Sequence, residues 1–320
     1  MKIVCDNKIP YIRETLEKLA DEVVFLPGAC ICNDDLKDAD ALIVRTRTKC
    51  NAALLEGTNV KFVATATIGF DHIDTEYMQR AGLFWTNCPG CNADSVEQYV
   101  RESLKCLLSA GKISKEKGKN KIAVVGHGNV GSRVARMAKE QGFEVYVYDP
   151  FLFPENGFEP IYDCNIITFH TPLTRSGDYP TYHLADEAFF SKLKRKPVII
   201  NSSRGEVVDN KALVEAYDKN LISELIIDVW ENEPNISLEL MSRCFIATPH
   251  IAGYSANGKV NADNMVVEAF CKFFNKPLPK KILPPSVEYT GYNPLEDHAR
   301  LTKSPELFEK LRGDYPIRLE

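Results

Sequence analysis

Short apolar segments recur along the chain, and each is followed by polar or glycine residues. Four or five consecutive apolar residues are typical of strands buried on both faces, as in a parallel sheet. Between them, apolar residues recur at helical spacing. The pattern therefore predicts an α/β fold in which strands and helices alternate. The predicted strands cover residues 2–5, 23–26, 41–44, 62–65, 83–86, 122–125, 144–148, 165–169, 198–200, 225–227 and 245–247.

The helical patterns divide these strands between two domains. A long helix beginning at Ala93 separates the first five strands from the others. Another long helix begins after Ser255, and its apolar residues must return to the first group of strands to be buried. These patterns predict one domain formed by residues 1–90 and 254–285, a second formed by residues 91–253, and a short tail at residues 286–320.

Two segments are predicted to lack a core of their own. Residues 112–120 are polar and rich in lysine, which is typical of a solvated loop. The tail has one short charged helix candidate at residues 305–312, too little for an independent core.

A glycine-rich loop follows the apolar strand at residues 122–125. Gly126, Gly128 and Gly131 have the G-x-G-x-x-G spacing, with Asn129 and Val130 between them, and a helical pattern follows. The glycines permit a tight turn, close approach of a pyrophosphate, and packing of helix on strand. Amides at the helix start favour a negative charge. This arrangement predicts a Rossmann dinucleotide site.

The next strand ends at Asp149, 18 residues after Gly131. An acidic residue about 20 residues beyond the glycines typically binds the adenosine ribose hydroxyls. Its negative charge disfavours a 2′-phosphate. We therefore expect NAD rather than NADP.

Composition and charge exclude several classes of function. The chain has 320 residues and a net charge of −5, with no long basic run. This argues against nucleic acid or an anionic membrane as the main partner. No apolar run is long enough to span a membrane, and the N-terminus does not resemble a signal peptide. These features favour a cytoplasmic protein.

The ten cysteines are scattered along the chain, which favours a reducing compartment. The spacing of Cys88 and Cys91 invites a zinc or redox interpretation. No second pair has a compatible spacing, so no metal site is predicted. A redox pair remains an alternative, but Pro89 and Gly90 favour a structural turn between the domains.

Three later strands end at ionisable residues suited to oxidation of an alcohol. His250 is of a type that titrates near neutrality and can accept a hydroxyl proton. Glu233 can stabilise the imidazolium and fix the tautomer of the ring. Arg204 offers a planar fork to a carboxylate. Together they predict hydride transfer from a 2-hydroxy acid.

These three strand ends read NSSRG, DVWENEP and TPHIAGY, and they resemble the D-2-hydroxyacid dehydrogenase family. The resemblance implies a flavodoxin-like substrate domain and a Rossmann NAD domain, both doubly wound, with a cleft between them. It also implies that Arg204, Glu233 and His250 are catalytic. Contacts with the cofactor are expected from Gly126, Gly128, Asn129, Val130, Gly131, Asp149, Thr171, Ser202, Ser203, Asp228 and Gly253.

Further segments, among them VRTRTKCNAALL and HIAGYSANGK, are similar to a branch of this family that oxidises a phosphorylated four-carbon acid. The resemblance implies substrate contacts at Thr46, Thr67 and Tyr254. Arg45 and Arg47 either bind the substrate phosphate or form a solvated basic edge. A homodimer is expected through the NAD domain and its insertion at residues 174–183, although the tail is shorter than the dimerisation domain usual in this branch.

Two other functions remain open at this stage. The chain could oxidise another acid, such as 3-phosphoglycerate or an unphosphorylated 2-hydroxy acid. It could also be a non-catalytic NAD-sensing protein, although all three catalytic candidates are present.

Overall fold

The computed structural model describes residues 1–116, 119–286 and 291–320, which form two compact units. The first unit contains residues 1–92, 255–286 and 319–320, and the second contains residues 93–254 and 291–318. Part of the predicted loop, at residues 117–118, and part of the predicted tail, at residues 287–290, lie outside the described residues.

Parallel strands form the centre of both units. In chain order the strands are β1 (Lys2–Asp6), β2 (Glu22–Leu26), β3 (Ala41–Val44), β4 (Phe62–Thr65), β5 (Phe84–Thr86), β6 (Lys121–Val125), β7 (Glu144–Tyr148), β8 (Ile166–Phe169), β9 (Val198–Asn201), β10 (Glu224–Ile227) and β11 (Ile246–Ala247). Each strand overlaps a predicted one, because these segments carry the continuous apolar runs.

Helices connect the strands and flank the two sheets. They are α1 (Arg13–Glu17), α2 (Ala52–Leu55), α3 (Thr75–Ala81), α4 (Ala93–Ser109), α5 (Asn129–Glu140), α6 (Glu187–Ser191), α7 (Asn210–Asp218), α8 (Leu238–Met241), α9 (Ala256–Phe273), α10 (Pro294–Lys303) and α11 (Phe308–Gly313). None of the helices in the described parts of the chain combines the length and apolar character needed to cross a bilayer.

The first unit is a five-stranded parallel sheet in the order β2-β1-β3-β4-β5. Helix α9 packs against this sheet. Val266 and Phe270 on α9 are fully buried, and the Phe270 ring meets Phe62 of β4 edge-on at a centroid distance of 5.7 Å. The polypeptide therefore leaves the first unit after Asn92 and re-enters it at Ser255.

The second unit is a six-stranded parallel sheet in the order β11-β10-β9-β8-β6-β7. One core cluster joins this sheet to α4 and α5, and a second joins it to α6 and α7. The sheet thus carries separate apolar cores built by different helices, as in a doubly wound fold. Both predicted parallel-sheet domains are confirmed.

The C-terminal segment contains more helical structure than the sequence predicts. The prediction of one short helix missed α10, although Asn293 and Pro294 are helix-start residues and the Asn293 side chain accepts a bond from the Leu295 amide. This segment packs on the second unit, with Leu301 and Phe308 buried in its core. Long-range packing, which the local pattern does not show, fixes its place.

Replacement of Phe308 by Ala tests this packing. Phe308 is 1% exposed, and deleting a buried aromatic ring costs about 3–5 kcal/mol. We expect the free energy of unfolding, measured with urea, to fall by about that amount. The matched control is Leu307→Ala, because Leu307 is 39% exposed. Equal effects of the two changes would contradict the packing described here.

Candidate active site

Arg204, Glu233 and His250 lie just beyond three neighbouring strands of the second unit. β9 pairs with β10, and β10 pairs with β11, all in parallel. Parallel neighbours end at the same edge of a sheet, where ligands of such folds bind. The sheet order therefore brings together three residues that lie far apart in the sequence.

His250 and Glu233 form a hydrogen-bonded pair. The distance between His250 Nδ1 and Glu233 Oε2 is 2.8 Å, and the two side chains are 27% and 18% exposed. The other carboxylate oxygen, Oε1, accepts a bond from the Trp230 amide at 3.0 Å. With Nδ1 engaged by Glu233, Nε2 is the imidazole nitrogen left for proton exchange with a substrate.

Glu233 is held in its charged form by its neighbours. Burial raises the pKa of Glu233, but bonding to His250, the charge of His250, the Trp230 amide and the charge of Arg312 together lower it below its ordinary value. An ionised carboxylate stabilises the imidazolium that forms when His250 accepts a proton. The pair is therefore suited to general base catalysis.

The backbone around His250 is fixed by Asp228, which lies at the end of β10. His250 has a φ of 56°, in the left-handed region. Its amide donates to the Asp228 carbonyl at 2.8 Å, while the Asp228 carboxylate accepts from the amides of Ile251 and Ala252. Burial raises the pKa of Asp228. A cofactor contact by Asp228 stays a prediction.

Gly205 allows the Arg204 loop to lie against the loop that carries Glu233. A Cβ atom at Gly205 would lie 2.1 Å from the carbonyl carbon of Trp230 and 2.5 Å from the Glu231 nitrogen. Any side chain would push these two loops apart. The guanidinium of Arg204 donates to the Ser203 carbonyl at 2.8 Å. A glycine after the arginine is thus a packing requirement of the site.

Arg312 of α11 also reaches this site, which sequence reasoning missed. Its Nη1 lies 3.7 Å from Glu233 Oε2, and its Nε donates to the hydroxyl of Tyr254 at 3.0 Å. Tyr254 was predicted to contact the substrate. The chain around Arg312 has no motif that marks a functional residue, so only the packing of the C-terminal segment reveals it.

The glycine loop fits a dinucleotide. A Cβ at Gly131 would lie 1.9 Å from the Gly126 carbonyl oxygen, so this glycine is required for packing of α5 on the loop. At Gly128, which precedes α5, a Cβ would have no protein atom within 4 Å. This open space beside the helix start can admit a pyrophosphate. Asn129 and Val130 form the first turn of that helix.

The carboxylate of Asp149 lies beside the glycine loop. One oxygen accepts from the His127 amide at 2.8 Å, and the other accepts from the amides of Phe151 and Leu152, each at 3.2 Å. Asp149 therefore links the end of β7 to the loop after β6. Its predicted contact with the ribose is compatible with this position and stays a prediction.

Other polar groups near the strand ends lack protein partners. Among the described residues, the hydroxyls of Thr171, after β8, and Ser202, after β9, are buried without a hydrogen bond. Buried polar groups normally have partners, so these hydroxyls fit a bound ligand. Ser203 instead donates to the Asn201 side chain at 2.9 Å. Contacts of these residues and of Gly253 with NAD stay predictions.

His170 has a structural environment. Its Nε2 lies 2.9 Å from the Thr168 hydroxyl, and burial lowers the pKa of His170 to about 3. A ring that stays neutral at ordinary pH supports the structural interpretation of this residue.

The predicted substrate residues of the first unit lie in loops after two of its strands. β3 ends at Val44, so Arg45, Thr46 and Arg47 belong to a turn and strand alternation does not apply to them. Arg45 donates to the Lys8 carbonyl at 3.1 Å. The Thr67 hydroxyl donates to the Gly69 carbonyl at 2.8 Å. Their roles in substrate binding stay predictions.

His183, at the end of the insertion, lies between two carboxylates. Its Nε2 is 2.8 Å from Glu231 and its Nδ1 is 3.4 Å from Asp209. The two carboxylates approach opposite ring nitrogens, whereas a metal ion would be bound through one nitrogen with both carboxylates around it. This cluster is better described as a polar link from the insertion to the start of α7, through Asp209, and to the loop after β10, through Glu231.

The ten cysteines are free thiols. Cys88 and Cys91 are both buried, and burial raises the pKa of Cys91 to about 12. A thiol with a raised pKa is a poor nucleophile. The structure therefore favours a structural turn over a redox pair.

The family model and the relatives that match this chain agree with one another. Residues 92–252 match the NAD binding domain of the D-isomer specific 2-hydroxyacid dehydrogenases. The chain is 50% identical to erythronate-4-phosphate dehydrogenase of Bacteroides thetaiotaomicron, over 100% of this chain and 97% of the relative. It is 39% identical to the enzyme of the same name from Porphyromonas gingivalis, over 99% and 92%.

The solved structures that resemble the chain include a 3-phosphoglycerate dehydrogenase of Entamoeba histolytica with bound NAD+. The TM-score is 0.71 at 27% identity, over 90% of this chain and 99% of that one. A D-lactate dehydrogenase of Aquifex aeolicus gives 0.68 at 23% identity, over 86% and 96%, which shows the fold alone.

Two glycine replacements separate cofactor binding from packing. Gly128→Ala should fold normally, because its Cβ meets no protein atom, but should raise the Kd for NADH about tenfold or more by filling the space for the pyrophosphate. Gly131→Ala should instead lower the free energy of unfolding by about 1–3 kcal/mol through overpacking. Fluorescence titration and urea unfolding measure the two effects. Unchanged NADH binding in Gly128→Ala would contradict this cofactor site.

Proposed function

This chain belongs to the D-isomer specific 2-hydroxyacid dehydrogenase family, and we propose that it oxidises 4-phospho-D-erythronate with NAD. The product would be 3-hydroxy-2-oxo-4-phosphooxybutanoate, an intermediate in the biosynthesis of pyridoxal 5′-phosphate. The observation that carries this proposal is the identity of 50% and 39% with two enzymes named erythronate-4-phosphate dehydrogenase. The Glu233–His250 pair and Arg204 would supply the chemistry.

His250 is the general base of the proposed reaction. Its Nε2 removes the proton of the C2 hydroxyl, while the bond from Nδ1 to Glu233 keeps the ring in the required tautomer. Glu233 stabilises the imidazolium as it forms. NAD held at the glycine loop would supply the hydride acceptor for C2. In the reverse direction His250 donates the proton to the carbonyl oxygen.

Arg204 is proposed to bind the carboxylate of the substrate. A guanidinium can form two parallel bonds to a carboxylate, and in the reverse reaction it polarises the adjacent carbonyl. Tyr254, Thr46 and Thr67 are proposed as further substrate contacts. The phosphate is assigned to Arg45 or Arg47, because a dianion requires a positive partner separate from Arg204.

The protein is further proposed to form a homodimer in the cytoplasm. The second unit has exposed aromatic side chains at Phe151 and Tyr179, which are 73% and 46% exposed and meet edge-on at 5.2 Å. Tyr179 belongs to the insertion, where the contact between subunits is expected. The free thiols are consistent with a reducing compartment.

Steady-state kinetics with four substrates test the proposed function. The value of kcat/KM should be highest for 4-phospho-D-erythronate and lower for 3-phosphoglycerate, unphosphorylated erythronate and lactate. His250→Gln should reduce turnover by about 10²–10⁴-fold, the usual contribution of a general base, with NADH binding near normal. His298→Gln is the matched control, since the His298 ring accepts a bond from the Ala247 amide at 3.0 Å and is not a member of the Glu233–His250 pair.

Other results would lead to different conclusions. A clear preference for 3-phosphoglycerate would identify that acid as the substrate. The likeness to the Entamoeba histolytica enzyme favours this second candidate. Binding of NADH without turnover of any of the four acids would indicate a cofactor-sensing protein instead.

A further inference from the structure

The end of the chain contributes a charged group to the catalytic pair. Arg312 Nη1 lies 3.7 Å from Glu233 Oε2, the same oxygen that bonds to His250 Nδ1 at 2.8 Å. Its side chain is only 20% exposed. A positive charge in this position acts on Glu233 directly and on His250 through the same carboxylate oxygen, to which His250 is bonded.

Arg312 also fixes Tyr254, which follows the His250 loop. Its Nε donates to the Tyr254 hydroxyl at 3.0 Å, and the Tyr254 ring packs edge-on against Tyr315 at 6.1 Å. One planar guanidinium thus contacts both Glu233 and Tyr254. A lysine, with a single ammonium group, cannot reproduce both contacts in the same geometry.

The segment that carries Arg312 is anchored on both sides. Before Arg312, Phe308 is buried in the core of the second unit. After it, Arg318 donates to the Ala252 carbonyl at 2.6 Å and lies over the Tyr292 ring at 4.3 Å. Ala252 is two residues beyond His250. These contacts hold α11 in place, so the position of Arg312 is built into the unit.

Several charged or titratable groups face the Glu233–His250 pair. The charge of Arg312 lowers the pKa of Glu233, and the negative charge of Asp228 lies close enough to interact with His250. Glu309 lies 3.9 Å from Arg312 and reduces its net effect. Arg312 therefore lies within 4 Å of two carboxylates, that of Glu233 at 3.7 Å and that of Glu309 at 3.9 Å.

We propose that Arg312 is a positioning residue that orients Glu233 and Tyr254 for proton transfer by His250. The C-terminal segment, for which the sequence predicts no catalytic role, then contributes to the active site through Arg312. This inference rests on the proposed function. Loss of Arg312 should lower kcat more than it raises KM, because Arg312 contacts the carboxylate that positions the base and would act on the substrate only through Tyr254.

The experiment compares Arg312→Met, Arg312→Lys and the matched control Lys310→Met. Lys310 is an exposed cation on the same helix, so the control removes the same charge without touching the pair. We expect kcat with 4-phospho-D-erythronate to fall about 10–150-fold in Arg312→Met, the range for a lost charge-assisted bond. Arg312→Lys should recover part of the loss, and Lys310→Met should match the unmodified protein.

The pH dependence of kcat/KM distinguishes a positioning role of Arg312 from a merely structural one. Without the positive charge, the pair retains a proton more readily, so the acid limb of the kcat/KM profile should move to higher pH in Arg312→Met. In Arg312→Lys the acid limb should stay at the pH found for the unmodified protein. Carbon-13 NMR of labelled glutamate in the NADH complex gives an independent measure: the pKa of Glu233, assigned with Glu233→Gln, should rise in Arg312→Met.

Defined results would overturn the inference. Unchanged kcat and an unchanged pKa of Glu233 in Arg312→Met would show that Arg312 does not act on the pair. An equal change in kcat in Lys310→Met would show that the effect comes from loss of a positive charge on α11 and not from contact of Arg312 with the pair. If the unmodified protein fails to oxidise 4-phospho-D-erythronate, the proposed function fails, while the NMR comparison still decides whether Arg312 acts on Glu233.

Discussion

The buried carboxylate of Asp228 is the constraint on which the geometry of the candidate active site depends. Burying a charged group costs several kcal/mol unless hydrogen bonds compensate. Here the compensating donors are the Thr248 hydroxyl at 2.7 Å and the amides of Ile251 and Ala252. Because these donors all lie in the His250 loop, satisfying the carboxylate also folds that loop. The left-handed conformation of His250 persists because its neighbours on both sides are held.

The same loop connects the site to the rest of the second unit. The Thr248 carbonyl accepts from the indole of Trp230, and the Thr248 hydroxyl lies 2.9 Å from that of Tyr99 on α4. Trp230 also packs against Gly205. The loops that carry Arg204, Glu233 and His250 therefore meet around Trp230. Small changes at Trp230 are expected to move all three side chains together, since well-packed interiors transmit strain.

Much of this arrangement could be predicted from the sequence. Continuous apolar runs gave the strands, and the shared edge of parallel strands explained why Arg204, Glu233 and His250 meet. The contribution of Arg312 could not be predicted, because it depends on packing of α10 and α11 against a core formed far earlier in the chain. The link from His183 to Asp209 and Glu231 was missed for the same reason, since none of these residues is close in sequence to the others.

In the proposed reaction a hydride moves from C2 of 4-phospho-D-erythronate to NAD at this site. Oxidation of substrate deuterated at C2 tests this transfer most directly, with the reduced cofactor analysed by NMR and mass spectrometry. We expect one deuterium at C4 of the nicotinamide ring, on a single face, and a slower reaction with the labelled substrate. Recovery of the deuterium in water, or its absence from the reduced cofactor, would contradict it.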